Sequence, residues 1–275
     1  MHQRRGDDPD PSGAAPRAEL LLLGAEHAAY GVIARRVQAE ARTAGALSVG
    51  ADRSSPSLVH KGDPTIPNED AALAIDDGRR TLLAVSDAHF GHQASHVLLT
   101  RLAARCRTIP ENPLQLLALL QSCGEPGDRA VTAAPSAATL VAAVLDRGTR
   151  HVYGASFGDS TLALVSERSG THILTQKAPR FVTPDNPTTL EPRVAQEVSV
   201  AAQPGDLVVV FTDGVDECHY GRPETSVQPE HLTDLARHTG LDPAAFVDAV
   251  VDLALQGVAG HPGGQDNIAV VATRA

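Results

Sequence analysis

The stretch Ala71-Ala72-Leu73-Ala74-Ile75-Asp76-Asp77-Gly78-Arg79-Arg80-Thr81-Leu82-Leu83-Ala84-Val85-Ser86 decides the fold. Two short apolar runs, Ala71–Ile75 and Thr81–Ser86, flank Asp76-Asp77-Gly78-Arg79, whose composition is that of a tight turn. They read as a β-hairpin. Asp70 immediately precedes the first run and Asp87 immediately follows the second. The two acids are nearly equidistant from the turn, so antiparallel pairing sets them opposite one another at one end of a sheet.

Outward from the hairpin, His92–Arg105 and Asn112–Gln121 carry leucines at helical spacing, the second with Pro113 in its first turn. Ala137–Leu145, the turn Asp146-Arg147-Gly148-Thr149, His151–Phe157 and Thr161–Ser166 read as consecutive antiparallel strands. Glu197–Ala201 and Asp206–Thr212 are two more, followed by helices near Pro229–His238 and Asp242–Gln256 and a closing strand, Asn267–Thr273. Strands come in runs and helices in pairs, without regular βαβ alternation. The fold class is therefore α+β with antiparallel sheets, not a doubly wound sheet. Upstream, residues 1–16 are polar and rich in Pro, Gly and Asp, the composition of a disordered tail. Residues 17–44 form an Ala-rich segment in which Leu23, Tyr30, Ile33 and Val37 fit one helical face. Asp52–Asn68, with three prolines, reads as a loop. The main domain is expected over residues 45–275.

Composition narrows the function. The chain has 275 residues, 42 % hydrophobic and 3 % aromatic, so one aliphatic core is expected. Its formal charge of −10 argues against a nucleic-acid backbone or an anionic membrane as partner, since both require a basic face. No apolar run approaches the ~20 residues of a membrane helix, and the start, MHQRRGDDPDPSG, has no apolar stretch of the signal-peptide kind. Cys106, Cys123 and Cys218 are odd in number and widely spaced, which suits buried thiols in the cytoplasm rather than a disulfide framework or a zinc site. Nothing in the sequence specifies an oligomeric state.

The acids sit at strand ends. Besides Asp70 and Asp87, Asp213 ends the run Leu207–Thr212, Asp266 precedes the last strand, and Asp159 occupies the turn Gly158-Asp159-Ser160. Any one of them alone reads more readily as a turn or cap residue than as a ligand. Several together repel, and a cation is the usual remedy. An all-oxygen set without a Cys or His pair favours a hard ion, Mg2+ or Mn2+, over Zn2+.

The strings Asn68-Glu69-Asp70-Ala71, Val85-Ser86-Asp87-Ala88-His89-Phe90-Gly91, Gly158-Asp159-Ser160, Pro204-Gly205-Asp206, Thr212-Asp213-Gly214 and Asp266-Asn267-Ile268 stand in an order and spacing that resembles the PP2C-type (PPM) metal-dependent Ser/Thr protein phosphatases. The resemblance implies a four-layer α-β-β-α sandwich, two antiparallel sheets flanked by helix pairs. It also implies hydrolysis of phosphoserine or phosphothreonine on proteins by a water activated between two Mn2+ or Mg2+ ions. By the same resemblance Asp87 bridges the two ions and the Ala88 carbonyl adds a ligand. Glu69 and Asp70 act from the first motif, Asp213 and Asp266 hold the other ion, and Asp159 serves a weaker third. His89 resembles the general acid that protonates the leaving oxygen.

The chain departs from the family pattern in three places. Ala88 and Phe90 stand where glycines are usual, with Phe90 expected to crowd the metals. Thr65 stands where many relatives carry a phosphate-clamping Arg. The region between Thr175 and Gln203 is short. Lys61, Lys177 and Arg180 are the candidate replacements for the missing clamp, with Thr65 itself able to offer one hydroxyl. Two rival readings follow: a catalytically weak or inactive signalling module of the same fold, and a phosphoesterase acting on a small molecule. Composition and motif style together suggest a bacterial protein.

Overall fold

In the computed structural model, which describes residues 17–38, 42–55, 58, 61, 63, 65–126 and 136–275, the hairpin forms with the register Ala71↔Ser86 through Asp76↔Thr81. One step beyond that register, Asp70 and Asp87 leave the same end of the sheet. The turn is held by its own acids: Asp76 Oδ1 accepts from Gly78 N at 2.6 Å and Asp77 Oδ1 accepts from Arg80 N at 2.6 Å.

From the amino end the strands are β1 (Ala18–Leu23), β2 (Ala34–Val37), β3 (Thr43–Ser48), the hairpin pair β4 (Ala71–Asp76) and β5 (Arg80–Ser86), and the short β6 (Ala88–His89). Helices α1 (Gln93–Arg105) and α2 (Pro113–Cys123) follow. Next come β7 (Ala137–Ala138), β8 (Leu140–Asp146), β9 (His151–Phe157), β10 (Thr161–Ser166), β11 (Gly170–Ile173), β12 (Gln196–Ala201) and β13 (Leu207–Phe211). The one-turn α3 (Asp213–Asp216), then α4 (Pro229–Thr239), α5 (Pro243–Gln256) and β14 (Ile268–Arg274), complete the described strands and α-helices. Two six-stranded sheets result, in the orders β1-β4-β5-β8-β9-β12 and β11-β10-β13-β14-β3-β2, and β6 pairs with β7 in a small third ladder. Every strand pairing is antiparallel, as the α+β reading expects.

Alternating side chains sort into three apolar layers. On β5, Leu82 and Ala84 face α1 and α2, joining Leu98, Leu102, Leu116 and Leu120. Leu83 and Val85 face the other sheet and meet Leu47, Val208, Val210 and Val271. On the far side, Val209 and Phe211 of β13 and Val270 of β14 pack on Phe246, Val247 and Val250 of α5. Both faces of each sheet are covered, which explains why these antiparallel strands read as nearly continuous apolar runs. This is the four-layer α-β-β-α sandwich. Capping sets the helix starts: Asn112 Oδ1 accepts from Gln115 N at 3.0 Å and Asp242 Oδ1 from Ala245 N at 2.7 Å, each followed by a proline at the first helical position.

The structure corrects two readings. The described part of segment 17–44 is largely extended, with one 3-10 turn at Gly24–Glu26 as its helical content. It supplies β1, β2 and the start of β3, so the sandwich begins at Ala18 rather than residue 45. Leu20 and Leu22 enter the layer between the sheets, while Leu21 and Leu23 pack toward α1 and α2. A period of two had been hidden inside a four-leucine run. Second, the strand expected over Ala137–Leu145 breaks at Thr139, with β7 leaving to pair with β6. The expected tail, residues 1–16, lies outside the described residues, as do parts of the Asp52–Asn68 loop.

Candidate metal centre

Asp87 leaves β5 where Thr139 has interrupted the neighbouring strand, and the interruption anchors it. Asp87 N donates to Thr139 Oγ1 at 3.2 Å, Thr139 N donates to Asp87 O at 2.8 Å, and Thr139 Oγ1 lies 2.6 Å from Ser160 Oγ. The same hydroxyl pair thus ties Asp87 to the turn that carries Asp159. Across the sandwich, Asp213 opens α3 directly after β13. Gly214 is required there: a Cβ would stand 1.8 Å from the carbonyl oxygen of Asn267, so only glycine lets α3 close onto the β14 entry. Ligand-type oxygens of Asp87, Asp159 and Asp213 come within 4.8 Å of one another.

The other acids meet the same place. Glu69, Asp159, Asp213 and Asp266 line a cleft of about 450 Å³ together with Lys61, His89, Phe90, Glu217 and Tyr220. Asp70, fully buried, accepts from Thr212 Oγ1 at 2.7 Å, and that hydroxyl also accepts from Ala269 N at 2.9 Å, so Asp70 is clamped beside Asp213. Asn267 joins the two halves. Its Oδ1 accepts from Glu69 N at 2.8 Å while its Nδ2 donates to Val49 O and Pro67 O at 2.8 and 3.0 Å. Ser95 of α1 donates to Glu69 O. Thr139, Thr212 and Asn267 were not assigned roles from sequence. Thr212 and Asn267 did stand inside the quoted strings, adjacent to the acids they support.

The remaining sequence candidates divide. His89 is 34 % exposed, its Nδ1 lies 3.9 Å from Asp87 Oδ1, and its ring meets Phe181 edge-on with centroids 4.6 Å apart. Ala88 is fully buried in β6. Lys61 enters the cleft, its Nζ 2.9 Å from Asp266 Oδ1 and 3.8 Å from Glu69 Oε2. Lys177 is engaged with Asp216 at 2.7 Å and Glu217 at 2.6 Å. Arg180 lines adjacent grooves and donates to Val194 O at 3.4 Å. Thr65 is not brought into the cleft: it is exposed, and both its N and Oγ1 donate to Asp63 Oδ1, at 2.8 and 2.6 Å. Phe90 lines the cleft with 70 % of its surface exposed, and its backbone has φ of +64°. A residue other than glycine in that left-handed conformation carries backbone strain of roughly 1–2 kcal/mol.

Electrostatics mark the cluster as cation-seeking. Burial pushes the Asp70 carboxyl up to about 7, against the pull of Lys61 and the Thr212 hydroxyl. Asp87 is raised well above the carboxylate range by burial and then by Asp70 and Asp213, and Asp213 by burial and then by Asp266 and Asp159. Burial raises Asp159 too. Burial alone would depress Lys61, but the charges of Asp266, Asp87, Glu69 and Asp70 outweigh it and push the ammonium up. Asp70 Oδ1 and Asp159 Oδ1 are buried without a hydrogen-bond partner. Orphaned carboxylate oxygens in an all-oxygen cluster fit a hard divalent ion.

A pH dependence follows. Groups such as Asp70, with a folded-state pKa near 7 against 3.8 unfolded, hold more protons when folded. Their stabilisation is full below about pH 4 and is lost as pH rises through 7. EDTA-treated protein should therefore melt at a lower temperature at pH 8 than at pH 5. Saturating Mn2+ should remove that trend, because the ion binds the deprotonated form. A melting temperature in EDTA that rises between those two pH values would contradict the arrangement.

Comparison with known proteins bears on the family and the fold. The profile of the stage II sporulation protein E (SpoIIE) family matches residues 77–275. Among solved structures, a bacterial serine phosphatase carrying an arginine-to-alanine substitution superposes with a TM-score of 0.61 at 16 % identity, covering 84 % of this chain and 97 % of its own. The catalytic domain of the serine/threonine phosphatase PstP, in complex with two manganese ions, gives 0.60 at 17 % identity, covering 88 % and 99 %. The PP2C phosphatase domain of the cell-fate determinant SpoIIE from Bacillus subtilis, with a fragment of its regulatory domain, gives 0.52 at 16 % identity, covering 75 % and 57 %. At these identities the superpositions speak for the fold. No curated protein matches the chain.

Proposed function

The chain belongs to the SpoIIE family of PP2C-type phosphatases, and on that footing we propose that it hydrolyses phosphoserine or phosphothreonine on a protein substrate with Mn2+ or Mg2+. The observation that carries this reading is the convergence of Asp87, Asp159 and Asp213 within 4.8 Å, at the ends of strands from both sheets. Asp87 and Asp213, with Glu69, Asp70, the Ala88 carbonyl and Asp266, would hold two ions, and Asp159 a third. Bound ions would supply an activated water and neutralise phosphoryl charge. The chain's own residues do the rest. Thr139 and Asn267 fix the backbone of Asp87 and Glu69, and Thr212 holds the Asp70 carboxylate, before any ion arrives. His89, at the cleft wall beside Asp87, is positioned to give a proton to the departing serine or threonine oxygen. The Lys177–Asp216–Glu217 cluster borders the cleft where Glu217 lines it.

The three cysteines are free and buried, and no described helix is long and apolar enough to cross a membrane. The free thiols suit our placing of the protein in a reducing cytoplasm. The test is hydrolysis of p-nitrophenyl phosphate and of phosphopeptides by the purified chain. Turnover of both should appear with Mn2+ or Mg2+ and vanish with EDTA. Turnover of p-nitrophenyl phosphate alone would favour a small-molecule phosphoesterase. No turnover with either ion would turn the reading into a binding module.

A further inference from the structure

Six buried or half-buried acids (Glu69, Asp70, Asp87, Asp159, Asp213 and Asp266) meet in one region, and among the described residues Lys61 is the lysine or arginine in ion-pair contact with any of them. Its side chain is only 8 % exposed, and its Nζ reaches Asp266 Oδ1 at 2.9 Å and Glu69 Oε2 at 3.8 Å, which are acids from opposite sheets. The other lysine of the chain, Lys177, points to Asp216 and Glu217 instead. A surface lysine would be solvated and worth little. This one has given up water for carboxylates that on their own repel.

We propose that Lys61 is a tethered counter-ion of the cleft, which holds the carboxylates together when no metal is bound and weakens the binding of divalent ions by competing for Asp266 and Glu69. The inference rests on the reading of the cleft as a divalent-metal site. It follows from charge and place. An ammonium within hydrogen-bond distance of a ligand carboxylate cancels part of the field that attracts a divalent ion, and two like charges at this range in a buried site repel strongly. The same contact lowers the energy of the metal-free state, so removing it acts on the two states in opposite directions. Two other roles for Lys61 predict different signs. A lysine that merely orients Asp266 for the metal would, on removal, weaken metal binding. A lysine that only grips phosphate would leave metal binding unchanged.

Lys61→Met keeps most of the aliphatic stem and removes the charge, while Lys61→Arg keeps the charge. Mn2+ affinity is measured by calorimetric titration, and the melting temperature is measured in EDTA and across an Mn2+ series. The expected result is that Lys61→Met binds Mn2+ at least ~10-fold more tightly than wild type. It should also melt at a lower temperature in EDTA, with the gap closing as Mn2+ saturates. Lys61→Arg should stay near wild type on both. Unchanged or weaker Mn2+ binding by Lys61→Met overturns the proposal. Wild-type protein that binds no Mn2+ at millimolar concentration overturns the metal-site reading beneath it, a distinct failure. Where Lys61→Met does not fold without metal, reductive methylation of wild-type protein read by mass spectrometry decides. Lys61 should be protected in EDTA and modified faster with Mn2+, and an equal or slower rate with Mn2+ overturns the proposal.

Discussion

Asp87→Asn and Asp213→Asn should each lower kcat by at least ~100-fold while leaving the protein folded. Asp87 directly follows β5 and Asp213 opens α3 after β13, strands of opposite sheets, and their oxygens approach within 4.8 Å of each other and of Asp159. An amide of the same shape keeps the local packing but removes one negative charge and turns a donor toward the place of a cation. The stability control has an unusual sign. Both carboxyls are raised by burial and by their acidic neighbours, so neutralising either relieves repulsion. In EDTA at pH 8 each variant should melt at or above the wild-type temperature. A variant that is inactive because it is misfolded would melt lower. A variant with wild-type turnover would remove that residue from the centre.

His89→Ala should slow phosphopeptide hydrolysis by roughly 10²–10⁴-fold and affect p-nitrophenyl phosphate far less. The two substrates differ in leaving group. A serine alkoxide needs a proton as it departs, whereas nitrophenolate does not. His89 sits on β6 with its Nδ1 3.9 Å from Asp87 Oδ1, one third exposed to the cleft, its ring set by the edge contact with Phe181. On the proposed function it lies beside the metal-holding carboxylates and within reach of a substrate in the cleft. Equal losses on both substrates would show that His89 supports Asp87 rather than the leaving group.

Local pattern made much of the site legible. The turn at Asp77-Gly78 and the lengths of the flanking runs determine the hairpin register, and the register places Asp70 beside Asp87 without further information. Asp213 and Asp266 share an end only if the strands they bracket pair antiparallel, and that pairing, seen in Phe211↔Val270, comes from the tertiary structure. Strand-end acids are readable because pleated strands carry side chains at a constant rise, so position along the chain converts directly into position along the sheet.

Other features depended on contacts between distant segments. Leu20-Leu21-Leu22-Leu23 is compatible with helix or strand, and only the presence of β4 alongside, paired Leu20↔Ala74 and Leu22↔Ala72, selects the strand. Thr139 looks like any β-branched residue within a strand until Asp87 and Ser160 are placed against it. Thr65 lies four residues from Glu69 in sequence, but its loop turns it onto Asp63 and away from the cleft. Lys61 could be named as a cation near the site, yet whether it would face phosphate, solvent or carboxylate was open until Asp266, 205 positions later (266 − 61), came to 2.9 Å of it.

By itself, then, the amino-acid sequence determined the fold class, the hairpin and the set of acids that gather at strand ends, because each follows from periodicity and turn chemistry within a few residues. Tertiary structure alone decided the edge strand at Ala18–Leu23, the anchors Thr139, Thr212 and Asn267, and the burial of Lys61 among carboxylates. Those depend on packing two sheets face to face, where neighbours in space are far apart along the chain and their charges and hydrogen bonds have no local signature.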